Sequence, residues 1–243
     1  MLRTVVSGIL DLLAPPRCPG CQLPQSTQQS EGSFCAACAL LVELAPPGMR
    51  PPAQHGVAVL YQGPMADAIR HFKYARQSSI ARLLSPWLVA AARAATSVDA
   101  VVPMPLHPAK LRARGWNQSA LLARPVARVL GVPMRPSWLR RVRDTATQAG
   151  LSRTARHSNV AGAFRAAPVP GMRVLLIDDV KTTGATLLEA TRCLEARGHT
   201  VASLALAWAH DADHAPLDTC DPQPGHDGTE PTSRSAGERE GAG

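Results

Sequence analysis

An aliphatic run followed by two acidic residues and a loop of small residues, at positions 174–186, constrains the fold of this chain more than any other feature. The first four residues show no alternation of apolar and polar side chains, which predicts a strand buried on both faces, as in a parallel sheet. We expect Asp178 and Asp179 to end that strand. Residues 187–196 have helical spacing and stop before Gly198, a residue typical of helix C-termini. The segment therefore predicts a strand–loop–helix unit of an α/β fold.

This unit carries the residue types that bind a ribose phosphate. Ligands of open parallel sheets lie at the carboxyl ends of the strands, and the free N–H groups at a helix start attract phosphate. Asp178 and Asp179 would repel a phosphate, so we expect them to accept hydrogen bonds from sugar hydroxyls or to hold a divalent cation. The alternative is a strand that ends in a solvated acidic pair. The hydroxyls and backbone N–H groups expected to surround the phosphate belong to Thr182, Thr183, Gly184, Ala185 and Thr186.

The same stretch resembles the fingerprint of the type I phosphoribosyltransferases, which bind phosphoribosyl pyrophosphate (PRPP) together with Mg²⁺. The resemblance implies a parallel sheet flanked by helices. It also implies that Asp178 and Asp179 contact the ribose hydroxyls and that residues 182–186 hold the 5′-phosphate.

Two Cys-x-x-Cys pairs lie near the N-terminus, separated by thirteen residues. This spacing is typical of zinc ribbons and knuckles, in which two turns direct four thiolates at one metal ion. A closed Cys₄ site has no open coordination position, so we expect a structural Zn²⁺, which contributes on the order of 10–16 kcal/mol to folding in such modules. The alternative, two unrelated redox pairs, would need a βαβ context that this segment lacks. The expected ligands are Cys18, Cys21, Cys35 and Cys38.

A second strand–loop–helix unit is predicted at residues 100–130. Its strand, 100–106, leads into a basic loop at 107–118, and a helix follows from 119 to 130. Cations beside the ribose-phosphate unit can neutralise a diphosphate, and arginine does so as a fork. The alternative is a solvated loop. The candidate pyrophosphate-binding residues are Lys110, Arg112 and Arg114.

Residues 140–158 are rich in Arg, Thr, Gln and Ser and contain few apolar residues, which predicts a loop. In the phosphoribosyltransferases that this chain resembles, the loop in this region closes over the reacting centre and excludes water. Under the resemblance, Gln148 and Arg156 are candidate residues of that loop. The alternative is an ordinary surface loop.

Charge divides the chain in two. The net charge is +8, but from Asp211 onward eight acidic residues and two arginines give −6, so residues 1–210 carry +14. A basic folded part is suited to nucleic acid or to a polyphosphorylated small molecule. The acidic remainder has almost no apolar residues, which predicts disorder.

Several motifs occur together in one order: the cysteine pairs, 72–74, 102–107, 114–118 and the ribose-phosphate loop. In this order they resemble the ComF family, competence-associated phosphoribosyltransferase-like proteins with an N-terminal zinc ribbon. The resemblance implies a role in DNA uptake during natural transformation, with single-stranded DNA and a DNA-uptake helicase as partners. Two alternatives stay open: a nucleic-acid-binding adaptor whose sugar-phosphate site is not catalytic, and a base-salvage phosphoribosyltransferase. Catalytic residues are not identified, and turnover is left undecided.

The domain organisation follows from these features. The sequence contains no run of 18 apolar residues, so no transmembrane segment is predicted. It also contains no recognisable signal peptide, and a cytoplasmic location is therefore expected. Within the main domain the pattern predicts helices at 66–74 and 80–95, the first with cations that complement its dipole and the second interrupted at Pro86. The predicted parts are an amphipathic segment and Cys₄ zinc ribbon (1–45), a linker (46–55), a phosphoribosyltransferase-like domain (56–210) and a disordered acidic tail (211–243).

Overall fold

The centre of the protein, described here from a computed structural model, is a four-stranded parallel sheet. The structure describes residues 17–25, 34–51, 53–74, 78–94, 97–144 and 160–210. Their strands are His55–Leu60 (β1), Ala100–Pro103 (β2), Leu139–Arg141 (β3), Phe164–Ala166 (β4), Arg173–Lys181 (β5) and Thr200–Trp208 (β6). The sheet has the order β1–β6–β5–β2, and every neighbouring pair is parallel.

Helices cover both faces of this sheet. They are Ala36–Leu40 (α1), Gly63–Tyr74 (α2), Ile80–Ala92 (α3), Pro108–Arg114 (α4), Gln118–Leu130 (α5) and Ala185–Glu195 (α6). Helices α2, α3 and α5 share one hydrophobic cluster with the sheet, whereas α6 and the β3–β4 pair share another on the opposite face. This arrangement confirms the predicted α/β class. None of the helices in the ranges given above is long and apolar enough to cross a membrane.

Strand β5 shows why its sequence does not alternate. Leu175 and Ile177 pack into the cluster with α2, α3 and α5, while Val174 and Leu176 pack into the cluster with α6. The expectation that the acidic pair ends the strand was wrong, because β5 pairs with the equally long β6 as far as Lys181. The neighbouring strand supplies backbone partners beyond the point where the apolar run stops.

Two predictions about helices are also corrected by the structure. The basic stretch predicted as a loop contains the helix α4, which starts with Pro108 in its first turn and ends at Gly115, whose φ of 87° is left-handed. Proline at a helix start and glycine at its end are favourable positions for both residues. Helix α3 runs through Pro86 without interruption. Burial of Leu84 and Leu88 in the core stabilises it against the roughly 3 kcal/mol that an internal proline costs.

The predicted loop at 140–158 begins later than expected. Arg140 and Arg141 belong to β3, which pairs antiparallel with β4. Gln148 and Arg156 lie outside the described residues, as do the amphipathic segment before Arg17 and the acidic tail, so the predictions for these parts stay predictions.

The cysteine-containing segment packs directly on the main domain. Cys18, Phe34 and Cys38 belong to the same hydrophobic cluster as α2 and α3. Leu44 forms a bridge with Val59 of β1. The segment predicted as a linker contains a short 3₁₀ turn at Pro47–Met49 and leads into β1.

Candidate ribose-phosphate site

The phosphate-loop residues predicted from the sequence lie at the carboxyl edge of the sheet, between β5 and α6. Gly184 has a left-handed backbone with φ of 79° and immediately precedes the helix. The backbone N–H of Ala185 donates to Thr183 Oγ1 over 3.4 Å. Ala185 is buried, and the residues 182–184 are half-buried. A left-handed glycine allows the chain to turn sharply from β5 into α6, and the first backbone N–H groups of a helix have no acceptor within the helix itself.

The two acidic residues have different surroundings. Asp178 is 8% exposed and accepts hydrogen bonds at Oδ1 from the Ser119 hydroxyl (3.0 Å) and the Asp179 N–H (2.9 Å). Burial, followed by the neighbouring charge of Asp179, raises the pKa of Asp178 to about 7. Asp179 is half-buried, and its Oδ2 lies 3.4 Å from Lys73 Nζ on α2. The carboxyl groups are therefore held by two helices, α5 and α2, at the edge where the phosphate loop begins.

The predicted pyrophosphate residues share the helix α4, but their environments differ. Arg114 donates from Nη1 to Gln118 Oε1 over 3.0 Å, and its guanidinium lies 5.4 Å from the ring centroid of Tyr74. Arg112 is exposed and Lys110 is half-buried. Arg114 therefore connects α4 to α5 and to the end of α2, whereas Arg112 points into solvent.

Strand β2 brings this basic helix to the same edge as the acidic pair. The Met104 N–H donates to the Ile177 carbonyl over 2.8 Å, and Asn117 Nδ2 donates to the Met104 carbonyl over 2.9 Å. Asn117 also caps α5 by accepting from the Ala120 N–H. Gln118 is 1% exposed, and its Nε2 has no hydrogen-bond partner among the described residues. The two strand–helix units thus meet at one edge, with an unpaired amide donor between them.

Sequence reasoning missed two side chains of this site. The sequence predicts Lys73 as one of the cations that complement the dipole of its helix and as part of the 72–74 motif, and it predicts Ser119 only as the first residue of a helix. Both contact the acidic pair across large sequence separations. The 72–74 motif in the ComF resemblance was the available signal for Lys73.

The four predicted zinc ligands come together. The sulfur atoms of Cys18, Cys21, Cys35 and Cys38 all lie within 4.8 Å of one another. Although burial opposes ionisation of Cys18, the backbone N–H of Cys35 and further hydrogen bonds lower its pKa to about 6. Burial and the neighbouring sulfurs raise the pKa of Cys38. Four converging sulfurs, one of which ionises readily, fit a tetrahedral site that can hold a metal ion such as zinc.

A cavity of about 460 Å³ lies elsewhere, at the amino edge of the sheet. It is lined by the first residues of β5 and β6 and by Ser97, Val98 and Gln54. None of the predicted ligand-binding or metal-binding residues lines it. We therefore assign the candidate site to the carboxyl edge, where the charged and hydroxylated side chains converge.

Comparison with known proteins agrees with this arrangement. The family model described as "Phosphoribosyl transferase domain" matches residues 117–223. The "DNA utilization protein YhgH" of Salmonella typhimurium is 36% identical over 189 residues, which cover 74% of this chain and 78% of that protein. The "Competence protein F" of Haemophilus influenzae is 36% identical over 148 residues, covering 57% of this chain and 65% of that protein.

Among solved structures, the adenine phosphoribosyl transferase of Trypanosoma brucei has 15% identity and a TM-score of 0.39, covering 81% of this chain and 87% of that one. This likeness is too distant for a comparison of individual residues. The relatives above, which match most of the chain, carry the assignment. The chain belongs to the ComF family of phosphoribosyltransferase-like proteins.

Proposed function

We propose that this protein binds PRPP at the carboxyl edge of its sheet. The observation that carries the proposal is the meeting of the acidic pair on β5 with the left-handed Gly184 and the start of α6. Residues 182–186 bind the 5′-phosphate, for which a helix start provides N–H donors and a favourable dipole. Asp178 and Asp179 accept hydrogen bonds from the ribose hydroxyls.

The pyrophosphate of PRPP lies towards α4. Arg114 is the best placed of the three candidate cations, because its contacts with Gln118 and Tyr74 hold it beside α5 and α2. Lys110 and Arg112 add positive charge on the same helix. Mg²⁺ would bind the diphosphate and neutralise part of its charge. Should the protein turn over PRPP, an acceptor nucleophile would form a bond to C1 of the ribose as the C1–O bond to pyrophosphate breaks.

The four cysteines hold a structural Zn²⁺. Their sulfurs lie within 4.8 Å of one another, and two of these residues are part of the main hydrophobic cluster. A closed set of four thiolates leaves no position for substrate, so the metal stabilises the fold and takes no part in chemistry.

A binding measurement tests the sugar-phosphate assignment. Isothermal calorimetry with PRPP and Mg²⁺ is expected to give binding by the unchanged protein and none by the double variant Asp178→Asn/Asp179→Asn. The matched control is Asp67→Asn, which removes an exposed carboxylate on α2. Unchanged binding by the double variant would refute the assignment.

We further infer that the protein acts on DNA in the cytoplasm, during uptake or use of transforming DNA. This is supported by the +14 charge of residues 1–210 and by the names of the relatives, which refer to DNA utilization and competence. A direct contact with single-stranded DNA predicts an apparent affinity that falls linearly with salt on logarithmic axes. The absence of binding at low salt would leave a protein partner, such as a DNA-uptake helicase, as the route to DNA.

The enzymatic alternative can be separated by a different assay. A base-salvage phosphoribosyltransferase would release pyrophosphate from PRPP when the correct base is supplied. Screening the common purine and pyrimidine bases for pyrophosphate release distinguishes this activity from binding alone.

A further inference from the structure

The end of helix α2 contacts both halves of the candidate site. Lys73 Nζ lies 3.4 Å from Asp179 Oδ2, and both side chains are only 14% exposed. The next residue, Tyr74, lies under the guanidinium of Arg114 at 5.4 Å. The final residues of α2 therefore lie between the proposed ribose-binding carboxylates and the proposed pyrophosphate-binding cations.

The two residues that precede Lys73 on α2 are held by contacts with the core and with the cysteine-containing segment. Phe72 is fully buried in the core. Gln22 Nε2 lies 3.1 Å from His71 Nδ1, and the Pro19 carbonyl lies 3.3 Å from the same nitrogen. Helix α2 is thus held between the sheet and the cysteine-containing segment. This position keeps the side chain of Lys73 largely out of solvent.

A lysine that only complemented a helix dipole would extend into water, where an exposed ion pair contributes little. Here an ammonium group is largely withdrawn from solvent and directed at one member of an acidic pair. When ribose hydroxyls donate hydrogen bonds to Asp179, this residue remains an anion, but fewer of its lone pairs are available to Lys73. The diphosphate at C1 of the ribose is then a second anion with which Lys73 can pair.

We propose that Lys73 is a further binding residue of this site, which pairs with Asp179 in the free protein and contacts the pyrophosphate of bound PRPP. The proposal rests on the sugar-phosphate function proposed above. It assigns the 72–74 motif a role in ligand selection: the lysine distinguishes a ribose carrying a C1 diphosphate from one that carries only a 5′-phosphate.

The test compares two ligands with matched variants of the full chain. Calorimetry is carried out with PRPP and with ribose 5-phosphate, both in Mg²⁺. We expect Lys73→Met to weaken PRPP binding by about 10- to 100-fold, the range for a hydrogen bond to a charged group. Binding of ribose 5-phosphate should change by less than about threefold, because that ligand has no anion at C1. Lys73→Arg should restore most of the PRPP affinity because it keeps the positive charge.

Control variants separate this role from a structural one. Arg82→Met removes an exposed cation from α3 and should leave both affinities unchanged. A thermal unfolding scan of Lys73→Met establishes that it folds, and the ribose 5-phosphate measurement establishes that its site is intact. Equal weakening of both ligands would overturn the proposal, because Lys73 would then act only by neutralising the acidic pair.

The outcomes also separate this inference from the proposed function. If the unchanged protein binds neither ligand, the sugar-phosphate function and the role of Lys73 both fail. If it binds PRPP, and Asp178→Asn/Asp179→Asn loses that binding while Lys73→Met retains it, only the role of Lys73 fails.

Discussion

The buried carboxyl of Asp178 makes the stability of this protein depend on pH. Burial, together with the charge of Asp179, raises its pKa from 3.8 to about 7. Between these two values the folded protein holds a proton that the unfolded chain has released. The free energy of unfolding therefore falls as the pH rises, until the pH passes the folded-state pKa. Each pH unit in that interval corresponds to about 1.4 kcal/mol.

Asp178→Asn removes this dependence while keeping the shape of the side chain. An amide does not ionise, and its oxygen can still accept from the Ser119 hydroxyl. The interval from pH 5.5 to 8.5 contains roughly 1.5 units below the folded-state pKa, so the unchanged protein should lose about 2 kcal/mol that the variant keeps. The variant should gain stability relative to the parent as the pH rises, although it loses a proposed ligand contact.

Urea unfolding of the metal-loaded full chain at several pH values measures this difference directly. The quantity compared is the free energy of unfolding of Asp178→Asn minus that of the parent, which cancels the pH dependence of the groups that do not interact with Asp178. Asp67→Asn, on an exposed part of α2, serves as the control and should give a difference that is nearly independent of pH. Parallel profiles for Asp178→Asn and the parent would refute the reasoning, as would a difference that shrinks with rising pH.

Three further substitutions test other parts of the site. Gly184→Ala places a side chain at φ of 79° and should lower the free energy of unfolding by about 1 kcal/mol or more, with weaker binding of ribose 5-phosphate in calorimetry. Asn117→Ala removes both the cap of α5 and the hydrogen bond to the Met104 carbonyl, so urea unfolding should show a loss of about 1–3 kcal/mol. Cys21→Ser removes one of the four converging sulfurs and should reduce the zinc content measured by elemental analysis to below one ion per chain, whereas Cys193→Ser should not.

The strand at the centre of the site was predictable because a run of consecutive apolar residues indicates burial of both its faces. Val174 to Ile177 are apolar without alternation, and the structure buries them alternately in the two clusters on either face of the sheet. The cysteine cluster was predictable for a similar reason. The two cysteines of each pair are close in sequence, so the fold only has to bring the two pairs together. Both predictions depended on patterns within short segments.

The side chains that surround the acidic pair could not be predicted in this way. Lys73 reaches Asp179, and Ser119 reaches Asp178, only because α2 and α5 pack on the sheet. Helix periodicity gives no information about which residue of another element lies opposite. The helix α4 was missed because its seven residues carry too little apolar periodicity to be distinguished from a basic loop, while the turn residues at its ends decide its conformation.

The contact between the cysteine segment and α2 predicts that the proposed zinc module influences the position of Lys73 in the candidate site. A Cβ at Gly20 would lie 2.7 Å from Pro64 Cβ, at the start of the helix that carries Lys73 in its last turn. Gly20→Ala should therefore displace α2, lowering the free energy of unfolding by about 1–3 kcal/mol and weakening PRPP binding. Gly48→Ala is the matched control, because a Cβ there has no atom within 4 Å.

A double-mutant cycle tests whether Gly20→Ala weakens PRPP binding by displacing Lys73. If the cysteine segment acts on the ligand by positioning this lysine, Gly20→Ala should weaken PRPP binding in the parent but have almost no further effect in the Lys73→Met background. Coupling of this kind is expected because the cysteine segment approaches α2 at Pro64 and at His71, and Lys73 lies on the same helix, whose buried side cannot adjust independently at its two ends. Additive effects in the cycle would instead mean that the strain at Gly20 reaches the ligand by another route, and the cysteine segment would then be a stabilising module without a specific connection to the site.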